Sequence, residues 1–265
     1  MEAEIRRKQK SQRKKAQAEA NRKSSEERTR VLMKKAQENR SAVFDAARKG
    51  EGERVKRGIQ QDGVDAAGGE IKPGCVDFVK TFPEDPMETL MHISATKGDL
   101  DLIKWLDSHS ASFSGVTVQY EVMLELGADP EERNKQGMTA FHLAMKLGQS
   151  PIVNYFIDAY PPQYLDYSVI YQCFGCDNLL SLALQSRKPE LVWIVLDKSL
   201  ATKKELTDAW TRASSESGLV ALRGKETAND LESAEDIMEL LRKYCLSKEM
   251  EGEVADHDKR ITEDS

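Results

Sequence analysis

From about residue 41 the chain alternates short apolar stretches of helical period with polar, glycine-containing turns. Val43, Phe44, Ala46 and Ala47 run up to Gly50, and Val55 and Ile59 follow. Leu90, Met91, Ile93 and Ala95 run up to Gly98, followed by Leu102, Ile103, Trp105 and Leu106. Phe141, Leu143, Ala144 and Met145 precede Gly148, followed by Ile152, Val153, Tyr155, Phe156 and Ile157. Leu179, Leu180, Leu182 and Ala183 precede Arg187, followed by Leu191, Val192, Ile194, Val195 and Leu196. Apolar residues three and four apart, closed by a glycine in three of the four cases, predict amphipathic helices in pairs. Neither helix of a pair can bury its apolar face alone, so the pairs must stack on one another.

Outside these pairs the texture differs. Residues 1–49 contain neither Gly nor Pro and are rich in good helix formers. Ile5, Val31, Leu32 and Met33 do not repeat at heptad spacing, so 1–40 is expected to be a solvated, partly formed basic helix or arm, with a helix restart at the Ser24/Glu27 capping pair. Beyond residue 200, Thr202 with Glu205 and Ser233 with Asp236 predict two further helix starts, a helical cap over 201–248. The acidic, polar stretch 249–265 is expected to be disordered.

The units carry a more specific pattern. Gly137-Met-Thr-Ala-Phe-His-Leu-Ala and Thr89-Leu-Met-His-Ile-Ser-Ala, each with a closing glycine and a second apolar helix, resemble the ankyrin repeat family over roughly residues 41–200. That resemblance implies an all-α solenoid of about four degenerate ankyrin-type repeats. It also implies hydrogen bonding between repeats by His92 and His142, and partner binding through the loop fingers and the ends of the first helices. Carried over residue by residue, the contact positions are Arg48, Lys49, Thr96, Lys97, Lys146 and Leu147, with Gln185 and Ser186 in the fourth unit and Lys135, Gln136 and Met138 on one finger. The anchors Ser41, Thr89, Thr139 and Asn178 lie 48, 50 and 39 residues apart, against a family period of about 33. Removing 112–128 restores that period between the second and third units. The segment behaves as an insertion, either a finger or short helix serving a partner or a length difference arising in splicing of the coding sequence.

Charge divides the chain. Residues 1–40 hold 14 Lys/Arg against 6 Glu, leaving 25 basic and 39 acidic groups in the remainder. The basic segment suits electrostatic contact with RNA or a ribosome, but it has no aromatic residue for base stacking and no apolar membrane face. The longest apolar run, Leu191–Leu196, is too short to span a bilayer. Four cysteines without a dense framework, and no secretory signal, point to the cytoplasm or nucleus.

Catalytic motifs are absent from the sequence. Gly224-Lys225 is followed by Glu226 rather than the hydroxyl residue of a phosphate loop, and there is no nucleophile elbow or His-Glu-x-x-His. Cys173-Phe-Gly-Cys176 is the one chemical pattern; it reads as ordinary loop cysteines, with half a metal site or a redox pair as the alternatives. The expected function is that of a non-enzymatic interaction scaffold or adaptor that needs no cofactor. The second reading is an assembly factor or chaperone for a basic client such as a ribosomal protein, and the third a metal or redox protein using Cys173 and Cys176.

Overall fold

The computed structural model describes residues 2–79, 87–110, 128–164, 168–175, 177–224 and 231–247. All regular structure among them is helical. The elements are α1 (Glu2–Lys49), α2 (Gly52–Asp62), α3 (Leu90–Lys97), α4 (Leu100–Ser110), α5 (Ala140–Lys146), α6 (Ser150–Ala159), α7 (Ser168–Tyr171), α8 (Leu179–Ser186), α9 (Pro189–Asp197), α10 (Lys203–Ala213) and α11 (Glu216–Arg223). A last helix, α12, covers 231–247, and a single 3-10 turn lies at Val76–Phe78. Of the expected insertion, 112–127 lies outside the described residues, as do Cys176 and the tail 249–265.

The helices form two layers. In the first, α1 packs on α3, α3 on α5, α5 on α8 and α8 on α10; in the second, α2 packs on α4, α4 on α6 and α6 on α9. The first and second helices of each pair also pack together. One continuous apolar core results, with Phe44, Leu90, Ile103, Phe141, Phe156 and Leu191 fully enclosed. Ala47, Ala95, Ala144 and Ala183 are buried in the first-helix layer, where small side chains let backbones approach. Ile237 and Leu241 of α12 complete the core at the far end, and open clefts lined jointly by α9 and α12 and by α10 and α12 mark where α12 covers the stack.

Local chemistry explains the starts of the first helices. Thr89 and Thr139 each accept the amide of the residue three on, His92 and His142, whose rings in turn accept the threonine amide. Asn178 caps α8 through the Ser181 amide, and Thr202 forms the expected box with Glu205. Gly50, Gly98 and Gly148 take left-handed φ values of 76°, 76° and 75° at the turns. Arg187 takes that conformation in the fourth unit, with φ 57°, a strained choice for a residue with a Cβ.

Several expected boundaries are corrected. α1 is unbroken from Glu2 to Lys49, so no helix restarts at Ser24 and none begins at Ser41. With no glycine or proline in the segment, nothing interrupts the hydrogen-bond ladder. α12 already runs at 231, which puts Ser233 inside the helix rather than at its cap. α11, capped by Ser215 through the Gly218 amide, lies within the expected helical cap but at a position with no expected helix start.

The turn at residues 134–138 shows how tightly the loops are fitted. The Asn134 amide donates to the Met138 carbonyl at 2.9 Å, and the buried Asn134 side chain accepts the amides of Gln136 and Met138, each at 3.0 Å. Gly137 closes the turn with φ 75°, and a Cβ there would lie 1.8 Å from the Phe174 carbonyl oxygen. Gly137→Ala is expected to cost about 2 kcal/mol through the backbone conformation and this collision. A denaturant midpoint equal to that of the parent protein is the contrary result.

Candidate functional site

The turns joining the helices of successive pairs lie against one another. A Cβ on Gly52 would meet Asp99, one on Gly98 would meet Gln149, and one on Gly148 would meet Lys188; the Ser150 hydroxyl donates to Glu190 at 2.6 Å. Lys49, Lys97 and Lys146 sit beside these turns, so they form a row along one edge of the molecule. All three are exposed and unpaired among the described residues. The acids of the same turns are engaged elsewhere: Glu51 pairs with Arg54, and Asp99 accepts the Leu102 amide. Leu147 adds an apolar position to the edge at 47% exposure.

The remaining expected contact residues divide. Thr96 is exposed, its hydroxyl donating to the His92 carbonyl. Lys135 and Gln136 are exposed on the turn that precedes Thr139. They stand at the opposite end of α5 from Lys146, a helix of seven residues, or about 10 Å. The expected site is therefore an edge row and a separate fingertip. Gln185 donates to Asp177 at 2.8 Å and lines a 320 Å³ cleft with Arg187 and Arg212, while the Ser186 hydroxyl is turned back onto the Ala183 carbonyl.

Two contact assignments are revised. Met138 is 4% exposed, because the left-handed turn at Gly137 directs its side chain into the body. Arg48 is half-buried and ion-paired with Asp45 and Glu70, so it fastens the loop after α2 instead of presenting a free charge.

A polar network, buried at its histidines and mostly half-buried elsewhere, ties successive units together, and most of it has no signature in the sequence pattern. The Thr89 amide donates to His92 Nδ1 at 3.2 Å, which leaves the ring proton on Nε2, and Nε2 donates to the Met138 carbonyl at 2.9 Å. His142 uses Nδ1 in the same way with Thr139, and its Nε2 faces Cys173 Sγ at 3.4 Å. Burial depresses both imidazoles, His142 to about 4 with a further push from the Arg133 charge. Arg133 itself donates to the carbonyls of Gly137 and Val169, each at 2.6 Å, and stacks its guanidinium 4.5 Å from the Phe174 ring centroid. Asp107 accepts the hydroxyls of Tyr155 and Tyr160. Glu132 accepts the Gly68 amide at 3.0 and 3.2 Å, joining the finger before α5 to the loop after α2.

That loop closes around Arg40. The guanidinium, on a residue only 3% exposed, donates to the carbonyls of Asp65, Ala67, Gly68, Gly69 and Glu70. It also lies 5.1 Å from the Phe44 ring centroid. Gln37 donates to the Glu70 carbonyl and accepts the Lys72 amide. Nothing in a run of cations distinguishes Arg40 beforehand.

No group of three or more metal-ligating side chains occurs among the described residues, and no described helix is long and apolar enough to cross a membrane. No family model and no curated protein sequence matches this chain.

Proposed function

We propose that the chain is a non-catalytic protein-interaction scaffold of about four degenerate ankyrin-type repeats, which holds an acidic partner surface along the Lys49, Lys97 and Lys146 edge. The carrying observation is that these three lysines are exposed and unpaired among the described residues, beside turns that lie against one another along the stack. A rigid row of like charges presents a fixed spacing to a partner, which favours selectivity and association rate more than bulk affinity. The histidine, arginine and tyrosine links between units supply the rigidity. The fingertip of Lys135 and Gln136 forms a second, separate contact. This reading places the protein in the cytoplasm or nucleus.

The test is capture of partners by the intact protein and by the Lys97→Glu/Lys146→Glu variant, with quantitative mass spectrometry. Proteins with acidic surfaces are expected to disappear from the variant's eluate while its circular dichroism stays unchanged. Unchanged capture removes the lysine row from the function.

A second reading is favoured by one feature at the other end. Trp193, 46% exposed, stands in a 400 Å³ cleft between α9 and α12 with three carboxylates, Glu190, Asp236 and Glu239, and one cation, Lys243. An aromatic face among carboxylates accepts basic side chains, which suits an assembly factor or chaperone for a basic client. Loss of a basic client on Trp193→Ala, with retention on Lys97→Glu/Lys146→Glu, selects this reading over the first.

A further inference from the structure

The geometry points to α1 as a docking element for double-stranded nucleic acid, through one acid-free face running from Arg6 to Lys35. This inference is independent of the scaffold reading, since it uses no residue of the lysine row.

The continuity of α1 converts a charge-rich sequence into a surface with sides. The helix contacts α2, α3 and the 3-10 turn, and its first buried residue is Gln37; the described side chains from Gln12 to Leu32 are all exposed. At about 100° per residue, Arg6, Lys10, Arg13, Lys14, Arg28 and Lys35 fall within one sector about 100° wide. Gln17, Asn21 and Ser24 occupy its middle. Every acid from residue 6 to residue 38, namely Glu19, Glu26, Glu27 and Glu38, falls outside it. The rest of the helix is partly compensated: Arg22 pairs with Glu26, Lys23 with Glu19 and Lys34 with Glu38, while Lys15 and Arg30 there are exposed and make no ion pair among the described residues. The cations of the sector make no ion pair among the described residues.

The face has two cationic ends, around residues 6–14 and 28–35, with hydrogen-bonding side chains between. At 1.5 Å per residue their centres are roughly 30 Å apart, close to the ~34 Å that separates equivalent sites on a duplex. A continuous helix with fixed cation spacing matches a stiff duplex polyanion better than a flexible single strand. The chain's first aromatic residue is Phe44, so base stacking, a main source of single-strand affinity, is missing. A membrane surface fits poorly: Val31 and Leu32 are exposed, but two adjacent positions do not form the apolar stripe that such a surface needs. Contacts to phosphate alone carry no sequence information, so the binding is expected to be non-specific and strongly salt-dependent.

The experiment measures fluorescence anisotropy of RNA and DNA duplexes of roughly two helical turns with the full chain across a salt series. Two variants carry the same loss of charge: Arg13→Gln/Lys14→Gln/Arg28→Gln/Lys35→Gln on the face, and Lys15→Gln/Arg22→Gln/Lys23→Gln/Arg30→Gln behind it. Glutamine matches lysine and arginine in helix propensity, so both variants keep α1, as circular dichroism verifies. The parent is expected to bind duplex with a log–log salt slope of about −5, from about 0.9 per neutralised phosphate. The face variant should lose at least about ten-fold in affinity at low salt and flatten the slope by about 3 to 4; the rear variant should retain most of both. The stronger of the RNA and DNA arms identifies the source of the phosphates. Equal losses in the two variants, absence of duplex binding at low salt, or equal affinity for single-stranded RNA or phosphatidylserine vesicles would each overturn the inference.

Discussion

Arg40→Ala is expected to release the loop after α2 and unfold the first unit ahead of the rest, at a cost of about 3 kcal/mol. The carbonyls that the guanidinium serves converge because the loop bends around it. Alanine removes every donor at once, and each carbonyl kept from water costs on the order of 1–3 kcal/mol. Because the loop is only half-buried from Ala67 to Glu70, water reaches some of these groups once it loosens. The total therefore stays near that of one broken buried charge rather than several times above it. Arg40→Lys should restore little, since a single ammonium cannot span a ring of acceptors. Arg40→Met keeps the stem packed near Phe44 while removing the donors, and so separates packing from hydrogen bonding. In a stack where each unit touches only its neighbours, the damage should stay at this end. Hydrogen exchange should therefore rise at residues 63–75 and in α2 while α5, α6, α8 and α9 keep their protection. Parent-like exchange in that loop would mean that Gln37, the Arg48–Glu70 pair and Glu132 hold it without Arg40.

The same arginine shows where sequence reading stops. Helix pairs are legible because an apolar face repeats every three to four residues and because Thr89, Thr139, Asn178 and Thr202 announce helix starts by their side-chain chemistry. Long-range polar contacts have no period. Arg40 donates across 25 to 30 positions, and Glu132 reaches back 64, so neither can be told from a surface charge. Met138 illustrates a different limit. It follows a glycine in a finger, where the pattern predicts an exposed contact, yet the positive φ of Gly137 reverses the chain and turns the side chain inward. α11 has no clear sequence signal because Gly218 dilutes its apolar pattern, although Ser215 caps it. The boundary near residue 40 shows in charge and in burial but not in the backbone, since one helix crosses it. Of the candidate site, the lysines are legible and their alignment is not, because alignment depends on how the turns stack.

Acidification should destabilise the protein between about pH 6.5 and pH 4, and His142 should account for much of the loss. In the unfolded chain an imidazole takes its proton near pH ~6.5. In the folded protein His142 is wholly buried, with Nδ1 committed to the Thr139 amide and the Arg133 charge nearby, so its ring stays neutral down to about 4. Between those values the unfolded state binds the extra proton, and stability falls as pH falls. The difference corresponds to about 3 kcal/mol, present in full above the unfolded value and lost once pH has dropped through the folded one. His92, depressed by burial despite its bond to the Met138 carbonyl, adds loss in the same direction. Glu88 and Glu132, whose carboxyls burial raises, act oppositely, and their protonation in the folded state offsets part of the loss at the acidic end of the window. His142→Gln isolates the contribution, because glutamine serves the same capping position without titrating. Urea unfolding at a series of pH values should show the parent losing about 3 kcal/mol more than this variant across the window. Parallel curves for the two proteins, or an NMR titration placing the His142 ring at its unfolded value, would show that the ring is not sealed between its neighbours as the network requires.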